Sequence, residues 1–377
     1  MKILKLFILV LFLNFCGTAM AQRKLVSLVK DLETFIDTMS VKGVDRNYID
    51  MPDEPWQVII RNNVSQTIVS MKTEGTIGGT AYSVSPYLET SPSKYLGLWV
   101  GYRGYGLGYL VNVGGDKGSY FTIGLTGGAY GLNLRMHTFD NSNPSFNLNS
   151  ELIPEGQEGA WEVVELIDPI SVTSVFADGY YMFNGKRFSY AAAYDQSLIQ
   201  KRSAGSLMVG LMYTHTHIDY ASDYNADLIY TMQGMGQVKL WQGSAGVGYA
   251  YNWVPTRGLL INVMAMPMLT FVNRLKVYAY ATNIDELMED PLFWDEEISD
   301  EEWDAWFYGN SRITYLGDKS FNSGLSIGLD ARVSLSYNFG RYFFSAYGQF
   351  NNIRYQHNNT DGYLNDWFIN TSLGVRL

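Results

Sequence analysis

The stretch that decides the fold is the end of the chain, Asp366-Trp-Phe-Ile-Asn-Thr-Ser-Leu-Gly-Val-Arg-Leu377. In an extended strand, alternate side chains point to opposite faces. One face would carry an almost wholly apolar row: Trp367, Ile369, Thr371, Leu373, Val375 and Leu377. The other would carry mostly small or polar residues: Asn370, Ser372, Gly374 and Arg376. Such a strand, running to the C-terminus, is typical of a transmembrane β-barrel whose apolar face meets lipid.

The start of the chain predicts export. Residues 1–21 have the layout of a signal peptide, with a basic start, an apolar run from Leu6 to Phe15 and small residues before Gln22. That run is too short to span a membrane as a helix. Cleavage leaves a mature chain without cysteine, because the single cysteine is Cys16. Disulfides and thiol chemistry are then excluded. A lipid anchor on Cys16 is the alternative, and the bulky Phe15 before it disfavours it.

The composition favours a membrane barrel over a soluble protein. Charged residues make up 17% of the chain, against about a quarter in ordinary soluble domains. Aromatic residues reach 15%, with 28 Tyr and 9 Trp, which suits aromatic girdles at the membrane surfaces. Beyond the signal peptide we find no apolar run of the roughly 18 residues that a spanning helix needs. Backbone groups in lipid must all be paired, so the sheet has to close. The alternative is a secreted soluble β-sandwich.

We therefore predict an all-β fold, a transmembrane antiparallel β-barrel of about 12 strands, with 10 as the alternative. Residues 22–56 would form a short periplasmic helix over 23–39 and a lead-in, and residues 57–377 the barrel. A hairpin at Asn184-Gly185 favours the larger number. A barrel of twelve strands places the long segment 139–170 in the periplasm. A barrel of ten strands, without 64–73 and 187–198, places that segment outside. The predicted strands are 64–73, 79–90, 95–113, 118–138, 171–184, 187–198, 204–220, 236–254, 257–275, 321–338, 341–357 and 363–377.

An ordered set of motifs resembles a known family. The motifs are Tyr181-Met-Phe-Asn-Gly-Lys-Arg-Phe-Ser-Tyr190, Gln200-Lys-Arg-Ser-Ala-Gly-Ser206 and Gly246-Val-Gly-Tyr-Ala-Tyr-Asn-Trp253. They resemble those of a family of Bacteroidetes outer-membrane proteins catalogued only as a domain of unknown function, of the 4421 type. The resemblance covers roughly residues 45–377. It implies a barrel in a Gram-negative outer membrane and carries no catalytic or cofactor residues to transfer.

One strand carries a candidate metal site. In Tyr213-Thr-His-Thr-His-Ile-Asp219, the side chains of His215, His217 and Asp219 fall on one face. Two imidazoles and a carboxylate about 7 Å apart along a strand are donors that a divalent cation accepts, and a histidine oriented by Asp219 would also suit a hydrolytic site. The other interpretation is a polar strand end that leaves the membrane, and we favour that interpretation.

A second candidate is an acidic and aromatic loop over residues 284–310. It holds 11 of the chain's 37 acids and no Lys or Arg. Its densest acidic part is Asp295, Glu296, Glu297, Asp300, Glu301 and Glu302, and Phe293, Trp294, Trp303, Trp306, Phe307 and Tyr308 are interleaved. A divalent cation or cationic partner could bind there, or the loop could fold over the barrel mouth. The third interpretation is a solvated loop whose aromatic residues rest on neighbouring loops. The regular spacing of a calcium-binding hand is absent.

The sequence favours a monomeric outer-membrane barrel without enzymatic activity or a resident cofactor, a divalent cation at the candidate sites excepted. Its function would be the passage or binding of a small solute or lipid. Expected partners are outer-membrane lipid and the barrel-assembly machinery, and the net charge of −10 disfavours nucleic acid. Two alternatives stay open: binding or structural support through the extracellular loops, and a small-barrel hydrolase or acyltransferase. No nucleophile elbow or zinc-hydrolase motif accompanies the latter.

Overall fold

The computed structural model describes residues 31, 34–39, 42–77, 80–114, 117–150, 162–163, 165–295, 297–357 and 360–377. One antiparallel sheet of sixteen strands contains most of them, and twelve of its strands close into a barrel when the last pairs with the first. The predicted signal peptide, residues 1–21, lies outside the described residues. Across the described part of the chain, no helix is long and apolar enough to cross a membrane.

The twelve barrel strands follow one another in chain order, each paired with its sequence neighbour. They are β1 (Trp56–Ile77), β2 (Ser93–Tyr102), β3 (Tyr105–Asn112), β4 (Gly118–Thr126), β5 (Tyr130–Asn141), β6 (Ile170–Met182), β7 (Ala204–Asp219), β8 (Met235–Thr256), β9 (Leu259–Thr282), β10 (Ser326–Phe339), β11 (Tyr342–His357) and β12 (Thr360–Arg376). Closure runs through an unbroken register from Gln57↔Arg376 to Thr73↔Thr360.

The two ends of the barrel differ in the length of their connections. One end, here called the near end, holds the C-terminus and the turns at 103–104, 127–129, 257–258 and 340–341, together with a longer connection at 183–203. The other, the far end, holds the long connections 142–169, 220–234 and 283–325. Short turns at one rim and long loops at the other are usual in membrane barrels.

The terminal strand β12 has the predicted faces. Ile369, Leu373 and Leu377 are outward and exposed, whereas Asn370, Ser372 and Arg376 are inward and buried. The same alternation runs around the barrel and leaves an apolar outer belt, with exposed fractions of 64% for Leu211 and 75% for Ile327. A protein in water rarely exposes so large an apolar surface. The polar side chains of β12 therefore lie on the lumen side of the wall.

The predicted number of strands is confirmed, but four of the predicted segments do not each form one strand of the wall. Segments 95–113 and 118–138 each form two strands, because the chain reverses at Arg103-Gly104 and at 127–129. Arg103 and Gly104 both have positive φ, 51° and 90°, as a tight reversal requires. The predicted strand 79–90 does form, as Thr80–Glu89, but it pairs with the upper half of β1 beyond the barrel wall. Segment 187–198 is not a strand.

That last segment corrects the predicted topology. Asn184-Gly185 does not join two wall strands, because the chain turns into the lumen there and returns only at β7. The connection 139–170 consequently lies at the far end, and not at the rim that holds the C-terminus. Twelve strands and a far-end position for 139–170 are thus compatible.

The helices and the additional short strands of the described residues are not part of the barrel wall. The helices are α1 (Tyr190–Tyr194), α2 (Ala226–Thr231), α3 (Ile284–Met288) and α4 (Asp300–Asn310), with 3₁₀ turns at Asp223–Asn225 and Pro291–Trp294. Short strands Ser145–Ser150, Glu162–Val163 and Ile313–Asn322 extend the sheet at the far end, and Ile49–Asp50 pairs with Ile199–Gln200. Of the predicted N-terminal helix, residues 34–39 are described and helical, and Asp37 reaches Arg103 at the near end, 3.5 Å away.

Candidate functional site

The near end of the lumen is filled by residues 183–203, here called the plug. Helix α1 forms within it because Ser189 caps the alanine run, with the Ala192 amide donating to Ser189 Oγ at 3.0 Å. The alanines of α1 are at most 1% exposed. The plug residues Phe188 and Tyr190 pack against the methionines Met208 and Met264 on the inner wall. The plug is thus part of the core of the barrel.

Polar side chains of the wall hold the plug backbone. Asn252 Nδ2 donates to the carbonyl of Ser189 at 3.0 Å, and Gln57 Nε2 donates to that of Asp195 at 3.4 Å. Arg376, on the closing strand, donates through Nη2 to the carbonyl of Gln196 at 2.8 Å. A buried carbonyl without a donor would be costly. These contacts therefore fix the plug to β1, β8 and β12.

A charged network crosses the middle of the lumen. Arg135 on β5 donates to Asp178 on β6 at 2.7 Å and to Gln349 on β11 at 2.9 Å. From the opposite wall, Arg332 on β10 lies 3.4 Å from Asp178 and 3.3 Å from Asp330. Because β5 and β11 are six strands apart in a ring of twelve, these side chains bridge the full width of the lumen.

Tyrosines complete the network. Tyr180 donates from its hydroxyl to Asp330 at 2.7 Å, and Arg332 donates to the hydroxyl of Tyr190 at 3.1 Å. Tyr190 belongs to the plug, so the plug and the network are one connected structure. Gly131 makes room for it, since a Cβ on Gly131 would lie 2.1 Å from the Tyr190 ring.

Two small cavities, each of about 50 Å³, remain in the lumen. The lower cavity lies between the plug and the network, lined by Tyr194 and Asp195 of the plug and by Arg61, Thr122 and Arg332 of the wall, among others. The upper cavity lies on the other side of Arg135, which lines both. Arg135 thus stands between the two cavities.

The far end of the lumen is apolar on the side of β2 to β7. Inward residues of these strands pack with Leu166 and with residues of the connection 220–234, including Leu228 and Ile229 of α2. The cluster consists of Tyr95, Leu110, Tyr120, Phe139, Leu166, Ile170, Val172, Ile218, Tyr220, Leu228, Ile229 and Met232. Helix α2 is therefore packed onto the barrel and does not project from it.

The structure does not bring the predicted metal ligands together. His215, His217 and Asp219 continue the outward row of β7 beyond Leu211. His215 Nδ1 lies 2.9 Å from the carbonyl of Leu240, and its ring stacks on Trp241. The Asp219 carboxylate accepts from the amide of Ala221 and from Gln237. Across the described residues, no group of three histidine, cysteine, aspartate or glutamate side chains could hold a metal.

The acidic loop is compact through its aromatic residues. Trp303 and Phe307 of α4 stack at 4.7 Å between ring centroids, and Phe307 is buried with Ile284 and Ala226. This cluster joins α4 to α3 and α2, and Phe293 and Trp306 pack against it. The structure therefore supports the interpretation in which the aromatic residues rest on neighbouring loops.

The acids of that loop have local roles or face solvent. Glu302 forms a capping box with Ser299 at the start of α4, and Asp295 accepts from the amide of Glu297 at 3.0 Å. Asp300 and Glu301 are exposed, and Glu296 lies outside the described residues. Within the described residues, no ion pair joins an acid of the loop to a Lys or Arg. Partner binding by this surface stays a prediction.

The sequence reasoning missed the arginines that line the cavities, Arg61, Arg135 and Arg332, and the acids Asp178 and Asp330 that pair with the last two. A signal for them exists. Each is an ionisable residue on the inward parity of a strand whose outward neighbours include apolar residues, as in Leu329-Asp-Ala-Arg-Val333. A charge in a membrane strand must avoid lipid, so this parity places it in the lumen.

The comparisons with known proteins give a family and a set of distant barrels. The chain is similar to the β domain of the Bordetella autotransporter BrkA, with 10% identity, 86% of this chain and 100% of that chain covered, and a TM-score of 0.31. It is 11% identical to OprG of Pseudomonas aeruginosa, with 85% of this chain and 96% of that chain covered and a TM-score of 0.26. It is 9% identical to an outer-membrane channel of Pseudomonas putida F1, with 87% of this chain and 97% of that chain covered and a TM-score of 0.26.

The pairing of the twelve strands itself shows that the barrel is closed. Curated proteins give no match. Residues 43–376 match the family described as a domain of unknown function, DUF4421. This match spans nearly all of the barrel and the plug, and the chain belongs to the DUF4421 family.

Proposed function

We propose that this protein is an outer-membrane β-barrel that binds a small polar solute in the lower cavity and does not conduct passively. The observation that carries the proposal is the doubly obstructed lumen. The plug fills the near end, and the Arg135–Gln349 contact joins opposite walls above the cavity. A solute would reach the cavity only when the plug moves.

The outer surface supports a membrane location. The exposed apolar side chains of the wall form a belt, and aromatic residues such as Trp253, Tyr337 and Phe339 lie outward towards the near end. Aromatic girdles of this kind mark the membrane surfaces of bacterial barrels. The predicted signal peptide favours the same location in a Gram-negative cell. We assign the near end to the periplasm, since short turns face that side in bacterial barrels.

The lining of the lower cavity favours binding over catalysis. It offers Arg, Asp, Asn, Gln, Thr and Tyr side chains, with no histidine, serine or cysteine among them. A Ser–His or Cys–His nucleophile–base pair therefore cannot form from this lining. We propose that the protein is not an enzyme. We also propose, from the closed barrel, that it acts as a monomer folded by the barrel-assembly machinery.

The exposed acids of α4 favour a second function, binding of a cationic partner at the far end. Asp300 and Glu301 have no described counter-charge, and Trp294 nearby is 68% exposed. Such a surface would attract a basic partner in a salt-dependent way.

Planar-bilayer recording of the purified protein tests the main proposal. We expect folded, inserted wild-type protein to show no steady conductance. A variant with residues 186–202 replaced by a six-residue Gly-Ser linker loses Tyr190 but keeps the contacts of Arg135 with Asp178 and Gln349. It should therefore stay non-conducting, yet admit small solutes to the lower cavity. Stable channel steps from the wild-type protein would refute the proposal. Heat-dependent gel mobility checks that both proteins are folded.

A further inference from the structure

We infer that the lower cavity is a binding site for a small oxyanion, held by the guanidinium of Arg61. The inference rests on the lumen cavity of the proposed function and adds the chemical class of the ligand. Its starting point is a buried cation that forms no ion pair within the described part of the chain.

Arg61 differs from Arg135 and Arg332, the other two arginines that line this cavity. It projects inward from β1 and is 9% exposed, and its Nε is buried without a hydrogen-bond partner. In the described part of the chain, no acid lies within ion-pair distance of Arg61, and its nearest aromatic contact is Trp99, 5.4 Å from the ring centroid. By contrast, Arg135 and Arg332 both bind Asp178.

An unpaired guanidinium inside a barrel carries a large desolvation cost, which an anion bound at that site would offset. Its planar set of N–H donors fits the two oxygens of a carboxylate or phosphate group. A second unpartnered group lines the same cavity, since the hydroxyl of Thr122 is buried and has no hydrogen-bond partner. Arg61 and Thr122 together provide donors of a kind that an oxyanion accepts.

The size of the cavity suits a small ion. It has about 50 Å³ open to the centres of water molecules, and one buried water needs roughly 10–15 Å³ on this measure. The space thus matches a few water molecules, which is the size of a phosphate or acetate ion. A lipid or a sugar chain would not fit.

Asp195 is the one acid that lines this cavity, and it would oppose an anion if it were charged. Burial raises the pKa of the Asp195 carboxyl above its usual range, whereas hydrogen bonds from Ser197 and Thr126 and the charges of Arg61 and Arg376 oppose that rise. The rise in pKa makes the charged carboxylate less favourable than it is in water, which weakens its opposition to a bound anion. The charges of Asp178 and Asp330 are already matched by Arg135 and Arg332.

Thermal unfolding and calorimetric titration of the folded, full-length protein in zwitterionic detergent test the site. The probes are inorganic phosphate and acetate, with sodium chloride at equal ionic strength as the reference. We expect both oxyanions to raise the unfolding temperature beyond chloride. Arg61→Gln should weaken their binding roughly 10- to 100-fold, as the loss of a charged hydrogen-bond donor does.

Arg274→Gln is the matched control, because Arg274 is an exposed arginine on the outward side of β9 and should leave binding unchanged. Thr122→Val serves as a second variant, with a smaller loss expected. No stabilisation beyond chloride, or equal binding by Arg61→Gln, would overturn the inference. Anion binding by a protein that also conducts would sink the proposed function alone.

Discussion

Removing the carboxylate of Asp178 should destabilise the barrel more than any change at an outward acid. The Asp178 side chain is fully buried and lies 2.7 Å from Arg135 and 3.4 Å from Arg332. In Asp178→Asn both guanidiniums stay in the lumen, and Asp330 remains within 3.3 Å of Arg332. Arg135 therefore loses its only anionic partner among the described residues.

The expected loss of stability in Asp178→Asn follows from the cost of breaking a buried ion pair. Removing one partner of such a pair costs about 3–5 kcal/mol, because the remaining charge is left desolvated. With a urea m-value of about 3 kcal/mol/M, the unfolding midpoint would fall by roughly 1–1.7 M. Urea titration in phospholipid vesicles, followed by tryptophan fluorescence and gel mobility, measures this shift.

Two further variants show whether a loss of stability in Asp178→Asn comes from the buried ion pair. Asp219→Asn alters an acid on the outward face of β7 and should change stability by no more than about 0.5 kcal/mol. The double variant Asp178→Leu with Arg135→Met removes both charges and should recover most of the loss, since apolar replacement of a whole buried pair is often neutral. If Asp178→Asn were as stable as Asp219→Asn, the network would not be the paired core described above.

Three further outcomes are expected. Phe307→Ala should open the loop over residues 284–310 and speed its cleavage by protease several-fold, because aromatic packing holds this loop. Chelators should leave the rate of cleavage of the wild-type loop unchanged, since no cation is needed to hold it. Cleavage that depends on chelators would contradict this. Burial raises the pKa of Asp227 in α2, so the charge on Asp227 lowers the stability of the barrel as the pH rises above about 4. In urea titrations, Asp227→Asn should therefore be more stable than wild type at pH 7 and equal to it near pH 3. Equal stability of the two proteins at both pH values would refute this sign. Leu211→Arg on the outer belt should lower the stability of the folded barrel in vesicles by about 2–4 kcal/mol. Leu325→Arg in the far-end connection should lower it little. Similar losses of stability in both variants would contradict the position of the belt.

The sequence was informative about the wall and its ends. The alternation in β12 predicts which side chains of the last strand face outward, and the lengths of the connections predict the two rims. The strand count is right partly through compensating errors. Segments 79–90 and 187–198 are lost from the wall, and the splitting of 95–113 and 118–138 restores the number. The reversal at Arg103-Gly104 has no strong turn signature in the sequence, because arginine rarely adopts the positive φ that Arg103 has here.

The plug and the network could not be predicted from local patterns. Phe188 to Ala193 are buried only because a closed barrel surrounds them, and nothing in their sequence distinguishes a lumen segment from a short strand. The network depends on pairs such as Arg135 and Gln349, which are 214 residues apart in sequence. Inward parity would have placed each charge in the lumen, but the register across the barrel decides which of them meet.

Labelling of a single cysteine in the lower cavity tests the obstructed lumen most directly. Thr122→Cys adds a thiol of similar size to the lining, and the predicted mature chain has no other cysteine. With a membrane-impermeant thiol reagent, we predict that this cysteine reacts orders of magnitude more slowly than one placed at exposed Glu301. Removing residues 186–202 should raise its rate towards that of the exposed control. Equal rates at both positions in the otherwise intact protein would contradict a lumen blocked by the plug and the network.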